Sequence, residues 1–269
     1  MRLSTKLKSS VALAVLLFGA ATVSAMPITK TLDVSVYQLC NTTGACSGKG
    51  PAGNDYYAAE TNKIWAQAGI SVTFTFVQQV FSNAFFDISD TVGDTFDDLY
   101  ASVLGQGLAG QNHTSVDMFL VNSYAGAYDV GYSGAGGLIM SMADILGFDC
   151  NGAANCTGRI HTLAHELGHN FGLVPEDFVD YAGAADSGHS IDPNDLMPGG
   201  AVRNVPTTLG DIGPDGLGLD GLPQTHIDFA RQSSLLRDVP VNAVPEPGSL
   251  ALVALALAGL GAMRRRRAD

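Results

Sequence analysis

His165-Glu166-Leu167-Gly168-His169, followed by Gly172, is the stretch whose reading decides this chain. Residues four apart lie on one face of a helix, so a helical reading lets the Nε2 atoms of His165 and His169 converge on one small cation. Glu166 sits one residue along, about 100° round the helix. From there its carboxylate reaches a water at the cation without becoming a ligand, which makes it a general-base candidate. The flanks favour a helix. Ile160, Leu163, Ala164, Leu167 and Phe171 recur at helical spacing, Thr157 or Asn155 can cap the start, and Gly172 can end it. The competing reading is a buried helix whose two histidines merely satisfy local hydrogen bonds.

A catalytic zinc usually takes three protein ligands and leaves one position for water, and this motif supplies two. Around it the chain resembles the metzincin metallopeptidases, whose long motif reads HExxHxxGxxH or D and is followed by a turn carrying a methionine beneath the metal. Counted from His165, the third-ligand position is Pro175, which has no side chain able to bind zinc. The segment Gly188-His189-Ser190-Ile191-Asp192-Pro193-Asn194-Asp195-Leu196-Met197 is similar to the part of matrixin-type metzincins that carries the third histidine and the Met-turn. The resemblance therefore implies that the 14 residues Val174 to Ser187 are inserted after Leu173, with His189 the third ligand and Met197 the Met-turn residue. Glu176, Asp177 and Asp180 in the insert remain the competing ligands, since some metzincins use Asp there. His161 lies one turn before His165 but leaves no glutamate correctly placed, so it is read as lying behind the ligands or near the helix cap. His113 and His226 lack a partner at ligand spacing and are read as structural or surface residues. The resemblance implies a zinc metalloendopeptidase, in which Glu166 takes the proton of a water activated by zinc on His165, His169 and His189. No oxyanion tyrosine is assigned, because Pro198-Gly199-Gly200 follows Met197.

The ends of the chain speak of location. Arg2, Lys6 and Lys8 precede the apolar run Val11 to Ala21, and Val23-Ser24-Ala25 has the small residues of a signal-peptidase site, so residues 1–25 read as a signal peptide. Val244-Pro245-Glu246-Pro247 precedes the apolar run Leu250 to Met263, closed by Arg264 to Arg267. That run is short against the roughly 20 residues of a stable span. The arginines would hold its end on the cytoplasmic side. Residues 244–269 resemble the PEP-CTERM sorting signal of Gram-negative bacteria. The resemblance implies membrane association through this segment, processing by an exosortase-type enzyme, and delivery to the cell surface, outer membrane or an exopolysaccharide matrix.

Between the signals, residues 26–243 are long enough for one catalytic domain. They carry 7 Lys and Arg against 24 Asp and Glu, within a whole-chain net charge of −12. Such a balance argues against nucleic-acid binding. Asp211, Asp215 and Asp220, in the Gly-rich stretch Gly210 to Gly221, are candidate calcium ligands. The four cysteines fall into two near pairs, Cys40 with Cys46 and Cys150 with Cys156, and short-range disulfides are the natural reading in an oxidising compartment. Three connectivities are formally open, and neither pair has CxxC spacing for a zinc site.

Pattern and propensity predict a strand over Thr31 to Leu39, a helix over Asn54 to Gly69 with Tyr57, Ile64, Trp65 and Ala68 inward, and a strand over Ser71 to Val80. They predict a helix over Asp94 to Leu104, a buried strand over Val116 to Asn122, an edge strand within Tyr132 to Met142, and a final helix around Gln224 to Leu236. The resulting fold class is α/β (α+β mixed). By resemblance it is metzincin-like, a twisted mixed sheet with an active-site helix and a small C-terminal subdomain. In metzincins the edge strand above that helix binds the substrate main chain, which places peptide binding at Gly136, Gly137 and Leu138. A reading of another class is a non-catalytic, metzincin-like surface or exopolysaccharide-matrix protein, favoured by Pro175 and the insert.

Overall fold

The computed structural model describes residues 26–88, 98–99, 101–102, 115–124, 129–132, 136–150, 152–174, 178, 189–199 and 203–239. In chain order the elements are β1 (Lys30–Cys40), α1 (Ala58–Ala66), β2 (Ile70–Phe81), α2 (Asn83–Phe86), β3 (Asp87–Ile88), β4 (Ser115–Val121) and β5 (Ser123–Tyr124). They continue with β6 (Asp129–Tyr132), β7 (Gly137–Ser141), α3 (Met142–Leu146), α4 (Thr162–Asn170), α5 (Gln224–Ala230) and β8 (Arg237–Asp238). The main sheet runs β2-β1-β4-β7-β6, with β8 added to the start of β1. Its first four strands are parallel and β6 is antiparallel to β7, so the sheet is mixed.

Parallel strands covered on both faces read as unbroken apolar runs, and Val116 to Val121 does so apart from the acid Asp117. Side chains alternate across the sheet. Leu32, Val34 and Val36 of β1, Val116, Met118 and Leu120 of β4, and Leu138 and Met140 of β7 meet Ile64 and Trp65 of α1 and Leu163, Ala164 and Leu167 of α4 in one core. Tyr37, Leu39, Phe119, Val121 and Ile139 point the other way and pack with Ile88, Leu99 and Tyr124. Helix α4 thus packs with α1 against the same face of the sheet.

Three expectations need correction. The regular helix begins at Ala58 and not at Asn54, because Tyr56 and Tyr57 adopt left-handed φ values of 62° and 53°, which a helix cannot absorb. Helix α4 begins at Thr162, and neither Asn155 nor Thr157 caps it. His161 occupies the cap position without a side-chain cap hydrogen bond, and the Thr157 carbonyl instead accepts the Tyr57 hydroxyl at 2.7 Å. Finally, the edge strand is β6. Gly137–Ser141 is flanked by β4 on one side and β6 on the other, so the backbone of Gly137 and Leu138 has no open edge, and Gly136 is already bonded through its carbonyl to Asp117. Main-chain substrate binding at Gly136, Gly137 and Leu138 is therefore ruled out by pairing within the sheet.

Helix α5 stops at Ala230, short of the expected Leu236. Of the helix expected over Asp94 to Leu104, residues 98, 99, 101 and 102 are described and are helical. Cys40 pairs with Cys46 and Cys150 with Cys156. The signal peptide, the C-terminal sorting segment, His113, Pro175, Glu176, Asp177 and Asp180 lie outside the described residues. Among the described residues no helix is long and apolar enough to cross a membrane.

Candidate metal centre

Helix α4 carries its own stop. The Leu173 N–H bonds back to the Gly168 carbonyl at 3.0 Å and the Gly172 N–H to the His169 carbonyl at 2.9 Å. This is a Schellman closure, with Gly172 at φ 86° in the left-handed position that favours glycine. The chain leaves the helix just past His169, so both histidines sit on its last two turns. Their rings stand at 4.8 Å between centroids and nearly perpendicular, with the two Nε2 atoms 3.2 Å apart.

His189 arrives from beyond the insert. The Ser190 N–H donates to the Met197 carbonyl at 2.8 Å, the Asp195 N–H to the Asp192 carbonyl at 3.2 Å, and Ser190 bridges to Pro198. These bonds fold residues 190–198 into a closed loop with His189 at one end and Met197 at the other. The His189 ring lies 5.3 Å from each of the other two. One nitrogen from each of His165, His169 and His189 falls within 4.8 Å of the others, and among the described residues no other group of three such side chains is close enough to share an ion. Met197 is fully buried and packs against Gly168, where a Cβ would stand 2.4 Å from the Met197 sulfur. A side chain at position 168 would push that methionine from its place.

The surroundings fix protonation and orientation. His165 Nδ1 lies 2.9 Å from the Leu196 carbonyl and donates to it, which leaves the Nε2 lone pair for a metal. Burial holds His165 well below its ordinary range, and the charge of Arg203 adds to the effect, so the ring is neutral and able to ligate. Glu166 is buried, with Oε1 3.8 Å from His165 Nε2. The carboxylate is beside the ligand nitrogen without occupying its place.

Other candidates fall elsewhere. His161 is wholly buried at the start of α4, away from the ligand group, and burial holds it well below its ordinary range. His226 is buried on α5 with its ring 4.7 Å from Phe178, a structural place. Phe178 also meets Phe229 at 5.4 Å. The acids proposed for calcium do not converge. Asp211 accepts hydrogen bonds from Thr207 and Thr208, Asp215 pairs with Lys63 at 2.7 Å, and Asp220 is fully buried. Burial pushes the Asp220 carboxyl up to about 7.

One residue beside the site, Arg203, escaped the sequence reading. Arg203, nearly buried, donates to the Leu196 carbonyl and lies against His165 Nδ1. Asp220, read from the sequence as a calcium candidate within the Gly-rich stretch, adjoins Gly221, whose carbonyl accepts the Leu196 N–H at 2.9 Å. Arg203 stands in no motif, and only the tertiary fold brings it beside the helix.

Residues 243–267 match the PEP-CTERM protein-sorting motif, which marks a protein exported to the Gram-negative cell envelope. No curated protein shows significant sequence similarity to the chain. Among solved structures, archaemetzincin from Methanopyrus kandleri is similar over 76% of this chain and 95% of its own, at 13% identity and a TM-score of 0.41. A zinc-dependent peptidase from Methanocorpusculum labreanum is similar over 73% of this chain and 99% of its own, at 13% identity and a TM-score of 0.41. For metalloproteinase-II from Bacteroides fragilis the shares are 79% and 54%, with 16% identity and a TM-score of 0.35.

Proposed function

We propose that this chain is a zinc-dependent endopeptidase acting outside the cytoplasm, with His165, His169 and His189 as metal ligands and Glu166 as general base. The observation that carries the reading is the convergence of three imidazoles within 4.8 Å beside a buried carboxylate. The donor set fits zinc, which takes neutral imidazole nitrogens, and the Nδ1 bond to Leu196 turns the His165 Nε2 toward the shared point. Bound there, zinc would supply a Lewis acid able to lower the pKa of a water from about 15.7 toward 7. Glu166 takes a proton from the attacking water and later delivers it to the leaving amine. Substrate main chain would lie along the outer edge of β6, the side not paired with β7, adding a strand to the sheet. The sorting segment would be removed by an exosortase-type enzyme, freeing the domain at the cell surface or in a surrounding matrix.

The test is zinc content and casein cleavage by the purified protein, with and without a chelator, beside Glu166→Ala. The variant should keep about one zinc per chain and lose at least ~100-fold in turnover, since it removes a proton carrier and no ligand. Full activity in Glu166→Ala removes Glu166 from the mechanism. Stoichiometric zinc without any cleavage by the wild type would favour the non-catalytic surface or matrix protein.

A further inference from the structure

The sheet order β2-β1-β4-β7-β6 leaves β2 as the outer strand at the end opposite β6, about 19 Å away at roughly 4.8 Å per strand. Natural edge strands are commonly guarded by charged side chains or proline. Over its 12 residues β2 carries neither, and Phe76 and Val77 are 41% and 42% exposed. Gly69, just before the strand, turns its carbonyl to β1, where it accepts the Lys30 N–H at 3.1 Å. Val72 faces the other way: the Asn62 carboxamide accepts its N–H at 2.8 Å and donates to its carbonyl at 3.0 Å. In a parallel pair the N–H and C=O of successive residues point alternately to one side and the other, so Phe74 and Phe76 also turn theirs away from β1. Among the described residues no hydrogen-bond partner meets these four groups. One residue further the register slips, since Val36 pairs with Phe76 and Tyr37 with Gln78, leaving Val77 as a bulge. The open edge is therefore a short window, closed at one end by Asn62 and at the other by the bulge.

A groove of about 610 Å³ opens beside this window, lined by Val72, Thr73 and Phe74 of the strand and by Asn54, Asp55 and Tyr56 of the turn before α1. That turn is held firmly. Tyr56 and Tyr57 sit at left-handed φ of 62° and 53°, the Tyr56 N–H donates to the Lys49 carbonyl at 2.5 Å, and the Asn54 carboxamide donates to Glu60 at 2.6 Å. Left-handed backbone outside glycine costs energy and gathers where a fixed shape is needed. Here it sets the Tyr56 ring 5.8 Å from Phe74, while Lys49 stands 4.0 Å over the Phe76 ring. Among the described residues Asp55 has no ion-pair partner. The groove thus joins an aromatic shelf, an unpaired carboxylate and open peptide groups, in a domain with 24 Asp and Glu against 7 Lys and Arg. An extended segment carrying Lys or Arg next to apolar residues matches all three. A second copy of the chain matches less well, because it would bring a further excess of acids to the same edge.

We propose that the outer edge of β2 is a second, non-catalytic binding site, which takes an extended cationic peptide segment as an added strand. Its main chain pairs with Phe74 and Phe76, its apolar side chains pack on Tyr56 and Phe74, and a Lys or Arg reaches Asp55. The site stands apart from the three histidines and does not depend on their binding metal. A segment captured there is held away from the β6 edge at which cleavage is proposed.

The test uses the purified, nitrogen-15 labelled protein, with chelator present so that nothing is cleaved, and the capped peptide acetyl-Val-Lys-Val-Lys-Val-amide as probe. At nine-tenths occupancy the Phe74 and Phe76 amides should exchange with solvent about tenfold more slowly, because only the free fraction leaves them open. The same peptide N-methylated at every backbone amide has no main-chain donor and should protect neither. Asp55→Asn should weaken binding about two- to fivefold. Phe76→Pro, a substitution that an edge position tolerates, should weaken it at least ~10-fold; if that variant does not fold, the comparison of the two peptides on the wild type decides. No protection by the plain peptide, equal protection by the N-methylated one, or tighter binding of a peptide with Glu in place of Lys overturns the proposal. Protection of Phe74 and Phe76 without any peptide, in a protein that sediments as a dimer, overturns it as well and gives the edge to a second copy.

Discussion

Gly168 is the position at which helix α4 and Met197 compete for one volume, and replacing it with alanine gives a sign that can be worked out in advance. Alanine in a helix interior is worth about 1 kcal/mol over glycine. Against that, the new Cβ would stand 2.4 Å from the Met197 sulfur and 3.1 Å from its terminal methyl, while Leu173 at 3.6 Å is in ordinary contact. Forcing a methyl into a packed interior costs roughly 1–3 kcal/mol. Gly168→Ala should therefore be destabilising by between about zero and 2 kcal/mol. In a Met197→Ala background the obstacle is gone, and the same substitution should stabilise by about 1 kcal/mol. The coupling between the two sites is then roughly 1–3 kcal/mol, within the range expected of residues in contact. Urea unfolding of the four proteins, with chelator present so that bound metal adds nothing to stability, measures it. If Gly168→Ala has the same sign and size in both backgrounds, Met197 does not press on the helix and its placement below the histidines is wrong.

His189→Ala should release zinc on dialysis far more readily than Glu176→Ala or Asp177→Ala, and the reverse ranking by metal analysis would make a carboxylate the third ligand. Asp117, buried in β4, has its carboxyl raised from 3.8 to about 6 by burial. Its folded form therefore keeps a proton that the unfolded chain gives up, so this contribution to stability is complete below about pH 4 and is lost as pH rises through about 6. Asp117→Asn should gain about 3 kcal/mol relative to the wild type between pH 4 and 7, from two pKa units at 1.36 kcal/mol each; parallel urea curves across that range would refute it. Mass spectrometry of the surface form should find residues 245–269 missing, and detection of the Arg264 to Arg267 cluster there would make the segment a retained anchor.

What could be read from the sequence follows the range of the forces involved. The middle of α4 was legible because the placement of His165, His169 and the apolar face depends on neighbours within two turns. Its start was not, because the preceding residues are claimed by distant partners: the Arg159 N–H by the Ile145 carbonyl at 2.9 Å, and the Thr157 carbonyl by Tyr57. Strand content was legible for β1, β2 and β4 from alternation and β-branched runs. Neighbour order was not, since an apolar run such as Leu138-Ile139-Met140 suits an inner strand as well as an edge, and the two-sided pairing of β7 is visible only in space. Residue resemblance drew attention to His189, whereas Arg203 reaches the site through the Leu196 carbonyl, a contact that leaves no pattern along the chain.

Trp65 is the only tryptophan in the sequence. It is fully buried, donates its indole N–H to the Ala164 carbonyl at 3.2 Å, and meets the Phe171 ring edge-on at 4.7 Å. All tryptophan fluorescence of the protein therefore originates at the back of the helix that presents His165 and His169. The chain carries its own optical reporter: a titration with zinc or an unfolding curve followed at that emission reads the seating of one helix, undiluted by any other part of the molecule and without an attached label.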